Sequence, residues 1–172
     1  MGSQALDRFT TNKALFEDLI EITNKVPAEH KPIMMRLLVV TLAAFWEAFH
    51  QDLCREWLSQ RPNPPKPARN AIDNFHNPKS EKIRRLYAVV LQIPDITSSW
   101  WGNVLDKTGK SPAEHGQIID NMMSVRHDTA HGEWKAQISA SDCKEFLFTA
   151  VHLAIRTDDY AAALLTPTRP NE

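Results

Sequence analysis

Apolar residues recur along this chain at helical rather than strand spacing. Leu6, Phe9, Leu15, Phe16, Leu19, Ile20 and Ile22 set out an amphipathic first helix that ends at Pro27. Pro32 sits where a helix can start, since its missing N–H is not needed there. The pattern then predicts a long helix from about Lys31 to about Ser59. Between Arg36 and Glu47 that segment carries no charge, so it is apolar on every side, as suits the centre of a bundle. Arg61 to Pro67 holds four prolines and reads as a stiff, exposed connector. Ser80 is placed to cap a helix from Glu81 to about Gln92, with Ile83, Leu86, Tyr87 and Val90 on one face and Pro94 beyond its end. A short irregular piece carries Ile96, Trp100 and Trp101, and Lys107 to Lys110 reads as a polar loop. Ser111 and Glu114 spell a capping box, with Pro112 at the first helical position. The helix they open runs to about His131, where Gly132 is a natural stop. Ser141 is the expected cap of a last helix, Asp142 to about Leu165, with Phe146, Ala150, Leu153, Ala154 and Ala161 inward. Nothing alternates with period two, and no repeat is visible. The expectation is an all-α fold, a compact bundle of four to five helices in a single domain over 1–165, with a disordered tail at 166–172.

Composition narrows the function. At 172 residues the chain is long enough for one domain with a sizeable core. Lys plus Arg is 20 and Asp plus Glu is 21, a net charge of −1. Sequence-blind coating of nucleic acid, which lives on phosphate neutralisation, is therefore not expected; nucleic acid would bind at a local site. The 42% hydrophobic share excludes wholesale disorder. Two cysteines without a CxxC give neither a disulfide framework nor a zinc ribbon. Cys54 and Cys143 read as buried free thiols, which points to a reducing, cytoplasmic setting. Charges interrupt the first 26 residues, so no secretory signal is legible there. The uncharged run Leu37 to Trp46 is short of the ~20 residues that cross a bilayer, so no membrane partner is expected. Dinucleotide, P-loop and serine-hydrolase signatures are absent.

The segment Val125-Arg126-His127-Asp128-Thr129-Ala130-His131-Gly132 concentrates chemistry at a helix end. Arg126 continues the stripe of Ile119, Met122 and Met123, so it should point inward and need a carboxylate or other acceptors. Glu47, on the stripe of Val40, Ala43, Ala44 and Cys54, is the expected partner; a buried ion pair without chemistry is the plainer outcome of such a contact. On an unbroken helix Arg126 and His131 would lie ~140° apart, so they converge only if the helix stops near His131. Arg beside His suits phosphoryl chemistry on RNA. Imidazole moves a proton near neutral pH, and guanidinium holds the phosphate and its developing charge. The attacking group would be the substrate's own 2′-hydroxyl, so no cofactor or metal is needed.

Other candidates compete. His127 and His131 have the i, i+4 spacing of a zinc helix, but a third ligand is not evident. His30, His50, His76, His115 and His152 are scattered and read as surface or packing residues, although His50 lies one turn from Glu47 and could join a cleft. The tryptophans read as core or interface; Trp134 flanks the motif and could stack on a base. Arg69, Lys79, Lys82, Arg84 and Arg85 could contact phosphate, or form an ordinary solvated face.

Taken together, Arg126-His127-x3-His131-Gly132, the acidic apolar helix Ala43-Ala44-Phe45-Trp46-Glu47-Ala48-Phe49, Phe75-x-Asn77-Pro78 leading to Ile83-x-x-Leu86, and a following tryptophan resemble the HEPN superfamily, and within it the RiboL-PSP-type HEPN domains. The likeness spans about Lys31 to Leu165. It implies a helical bundle that forms a homodimer and cleaves RNA without metal, leaving a 2′,3′-cyclic phosphate and a 5′-hydroxyl. Arg126 and His131 would be the catalytic pair at a dimer cleft, with Glu47 orienting Arg126. The residue after the Arg is often Asn in such domains; here it is His127, whose role stays open. The resemblance also implies a toxin or defence effector held by a cognate antitoxin or regulatory protein. The alternative is a catalytically inactive HEPN module that binds RNA or a protein partner.

Overall fold

The computed structural model describes residues 2–60, 66–101, 110–133 and 137–165. The Pro-rich stretch at 61–65, most of the polar loop, Trp134 and the tail at 166–172 lie outside them, as does the side chain of Trp101. Among the described residues six α-helices follow in order: α1 Gln4–Lys25, α2 Lys31–Ser59, α3 Lys66–Asp73, α4 Ser80–Val90, α5 Pro112–Ala130 and α6 Ala140–Leu165. A 3-10 turn, Ile96–Trp101, sits between α4 and α5. The fold is all-α, with more helices than the sequence pattern predicts.

Helix α2 packs against α1, α3, α4, α5 and α6, so the uncharged segment is the hub. Met35, Leu38, Val39, Leu42, Ala43, Trp46, Phe49, Leu53 and Cys54 are all buried along it. By length and composition it is also apolar enough to cross a membrane, a test that core helices pass as well. Cys54 and Cys143 are free and buried, and burial pushes both thiols upward, Cys143 to about 12.

Several helix ends are closed by side chains from other helices. The Glu56 carboxylate accepts from the N–H groups of Gln4 and Ala5 at 3.2 Å each, and Asp158 Oδ2 accepts from Ser3 N at 3.1 Å, so α2 and α6 both hold the start of α1. Asp120 of α5 does the same for α4: its Oδ1 accepts from Ser80 N and Ser80 Oγ, both at 2.9 Å. Ser80 is thus the first residue of α4 rather than its cap. The cap of α6 is Ser139, not Ser141. Ser139 Oγ accepts from Asp142 N at 3.1 Å, and Asp142 accepts in return from Ser139 N at 2.8 Å.

Helix α3 escapes the sequence reading because Pro67 argues for a connector. Pro67 occupies the first turn of α3, where its missing N–H costs nothing.

Candidate functional site

Helix α5 begins with the Ser111–Glu114 capping box and ends in a Schellman motif. At its end Glu133 N donates to Asp128 O at 2.7 Å, and Gly132 N donates to Thr129 O at 3.2 Å. Gly132 takes φ of 72°, which only glycine adopts without strain. An added Cβ there would touch nothing within 4 Å, so the requirement is conformational, not steric. His131 is the C-cap residue and is exposed.

Arg126 follows Ile119, Met122 and Met123 on the inward line of α5, and those three side chains are fully buried. Arg126 itself is only half-buried. It forms no ion pair among the described residues. The expected contact with Glu47 is not made. Glu47 Oε1 lies 3.1 Å from His76 Nδ1, and Glu47 Oε2 accepts from Asn77 N at 3.0 Å. Asn77 has φ of 55°, and this left-handed turn presents its N–H to the carboxylate. Glu47 therefore positions the link between α3 and α4. Gln51, one turn on, does the same: its amide donates to Phe75 O at 2.9 Å and Ile72 O at 3.3 Å.

The cation that sequence reasoning missed is Arg36 of α2. It is buried, and its Nη1 donates to Thr129 Oγ1 and to Glu133 O, each at 3.4 Å. Thr129 Oγ1 in turn donates to Val125 O at 2.7 Å. A guanidinium thus braces the C-terminal turn of α5, where the helix dipole favours positive charge. Its only legible signal is position: Arg36 is the single charge heading the uncharged run of α2.

The rings of His127 and His131 lie 4.4 Å apart between centroids, tilted by 53°. The imidazole of His131 thus lies against that of His127, while Arg126 occupies the position on the helix that follows the buried Ile119, Met122 and Met123. On helical geometry the two directions differ by ~140°. None of the three is sealed in the interior. No group of three or more His, Cys, Asp or Glu side chains able to hold a metal occurs among the described residues.

His50 does not join this site. It is fully buried on α2, edge-on to Trp46 at 4.3 Å, with Phe49, Phe75 and Tyr87 also around it. Its Nδ1 lies 2.9 Å from Tyr87 Oη. Burial pulls its titration down to about 3.

Comparison with known proteins gives one family: the model described as RiboL-PSP-HEPN matches residues 7–163. No curated protein and no solved structure matches the chain.

Proposed function

The chain belongs to the RiboL-PSP-HEPN family, and from that premise we propose that it is a metal-independent endoribonuclease whose site is completed by a second copy of itself. HEPN membership supports a ribonuclease or nucleotide-related role in general terms. The finer reading is carried by one observation. The last turn of α5 leaves Arg126 without an ion pair among the described residues, and a Schellman turn holds His131 out at the same helix end.

The reaction would proceed by attack of a ribose 2′-oxygen on the adjacent phosphorus. The O2′–P bond forms and the P–O5′ bond breaks, leaving a 2′,3′-cyclic phosphate and a 5′-hydroxyl. His131 takes the 2′-proton. A second imidazole returns a proton to O5′, and His127 beside it is the nearest. Arg126 holds the phosphate and the charge that accumulates on it.

The helix stops at Ala130, but His131 keeps a near-helical backbone (φ −96°, ψ 7°), so Arg126 and His131 still leave the helix ~140° apart, and Arg126 of one copy would work with His131 of the other across a twofold cleft. The exposed Ile33 and Leu37 flank Arg36, which touches the motif turn, and they give α2 an apolar face for that contact. A toxin or defence role held by a cognate partner fits such an activity.

The test is total RNA incubated with the purified chain in EDTA, followed by analysis of the new ends. Cleavage with cyclic phosphate ends is expected. Cleavage that stops in chelator would favour a metal site on His127 and His131. RNA left intact by wild type and His131→Ala alike would favour an inactive binding module.

A further inference from the structure

The stretch 66–90, which builds α3 and α4, carries six Lys or Arg against two acids, a net of +4 in a chain whose net is −1. Both acids are already engaged. Asp73 lies 3.4 Å from Arg55, and Glu81 pairs with Arg84 and, at 2.9 Å, with Arg85. These are solvent-exposed pairs, weakened by screening, so a phosphate can compete for their cations. Lys66, Arg69 and Lys79 have no ion pair among the described residues. Among the described residues Lys82 donates to a carbonyl, His76 O, at 3.0 Å, and forms no ion pair.

Between α3 and α4 lies a groove of about 200 Å³. Its floor includes Phe75, Leu86 and the half-exposed Val89, and Lys82 and Arg85 stand at its rim. It is smaller than the ~300–1,000 Å³ of a cofactor pocket, and apolar beneath a cationic edge. A nucleobase with flanking phosphates has the matching chemistry: a flat apolar ring between anions.

Helix α4, which carries Lys82 and Arg85 of the groove, is also tied to the helix that bears the motif. Ser80, next to Lys79, is bonded to Asp120 of α5. His127 comes seven residues after Asp120, two turns along the same face and about 10 Å away.

We propose that the α3–α4 groove is a second subsite for single-stranded RNA, seating a base over Val89 and Leu86 with neighbouring phosphates on Lys79, Lys82 and Arg85. As a substrate subsite it rests on the nuclease reading above; as an RNA-binding surface it does not need cleavage. The experiment separates the two by using a fluorescent 2′-O-methyl oligonucleotide, which has no attacking hydroxyl, and measuring anisotropy with the full chain over a salt series.

Lys79→Ala/Lys82→Ala/Arg85→Ala should bind roughly tenfold more weakly or worse, with a log–log salt slope shallower by about 2, as three lost single-strand phosphate contacts require. Val89→Ser should weaken binding with the slope unchanged, because it removes floor and not charge. All four positions are at least partly exposed, and unchanged circular dichroism would show that the variants fold. A triple variant with wild-type affinity and slope overturns the subsite, even if wild type cuts RNA. Polyglutamate binding through these cations, with no oligonucleotide binding, also overturns it in favour of an acidic protein partner. Oligonucleotide binding that needs the three cations, in a chain that cuts nothing, upholds the RNA surface and removes only the nuclease reading.

Discussion

Two parts of the molecule bring an imidazole close to other rings, and they do opposite things with it. On α2, His50 is enclosed by Trp46, Phe49, Phe75 and Tyr87 with no exposed surface. Water is excluded, the charged form is penalised, and the ring serves as a neutral packing element. At the end of α5, His131 faces solvent on a turn whose shape is fixed by two backbone hydrogen bonds and by Arg36 from below. There the backbone is over-determined while the imidazole, beside that of His127, stays open to solvent. A residue held by its surroundings stabilises; a residue offered by a rigid support can react.

The largest expected effect divides these regions by activity. Arg126→Ala and His131→Ala should each lower RNA cleavage by roughly 10²–10⁴-fold with circular dichroism unchanged. His50→Phe should leave cleavage per folded molecule unchanged. If His50→Phe matched the motif variants in lost activity at full folding, the contrast would collapse.

Next comes stability. His50→Phe removes a partner from the buried Tyr87 hydroxyl and should cost about 1–3 kcal/mol at pH 7.5, read from denaturant midpoints. It should also change the acid limb. In the unfolded chain the ring binds a proton below about 6.5, its ordinary value; in the folded chain it stays neutral until about 3. Stability from His50 is therefore complete above pH 6.5 and is lost as pH falls toward 3, by about 1.4 kcal/mol per pH unit. His115 is shifted down by burial too and adds in the same direction. The variant should flatten the slope between pH 6 and 4; an unaltered slope would show that His50 is not the group responsible.

Gly132→Ala should cost about 1–2 kcal/mol, the cost of a left-handed conformation for a residue with a Cβ, and cleavage should drop as His131 loses its fixed turn. The smallest change is expected at Glu47. Glu47→Ala removes an acceptor for Asn77 N and should cost about 1 kcal/mol, most of it recovered in Glu47→Gln. A collapse of stability well beyond that would mean that Glu47 does restrain Arg126 after all.

Helix periodicity made most of the fold legible: the uncharged span of α2, the capping box of α5 and the glycine stop are local signals, and local signals are readable one segment at a time. What was not legible is which segment meets which. Glu47 and Arg126 each lie on an inward line, and two inward lines suggest a pair. Instead, a left-handed residue at Asn77 turned a backbone N–H toward Glu47, and the buried cation beside the motif proved to be Arg36. Spacing gives a side chain's face but not the neighbour on that face. The same holds for caps: Ser139 and Ser141 are both plausible by type, and the return bond from Asp142 chose the first.

The claim on which the functional account turns is that Arg126 of one copy acts with His131 of another. Arg126→Ala and His131→Ala chains carrying different affinity tags, co-expressed and purified as the mixed dimer, test it directly. The mixed dimer retains one intact pair across the cleft, and it should recover a large part of the wild-type cleavage that both parent dimers lack. A mixed dimer as inactive as its parents would contradict the account.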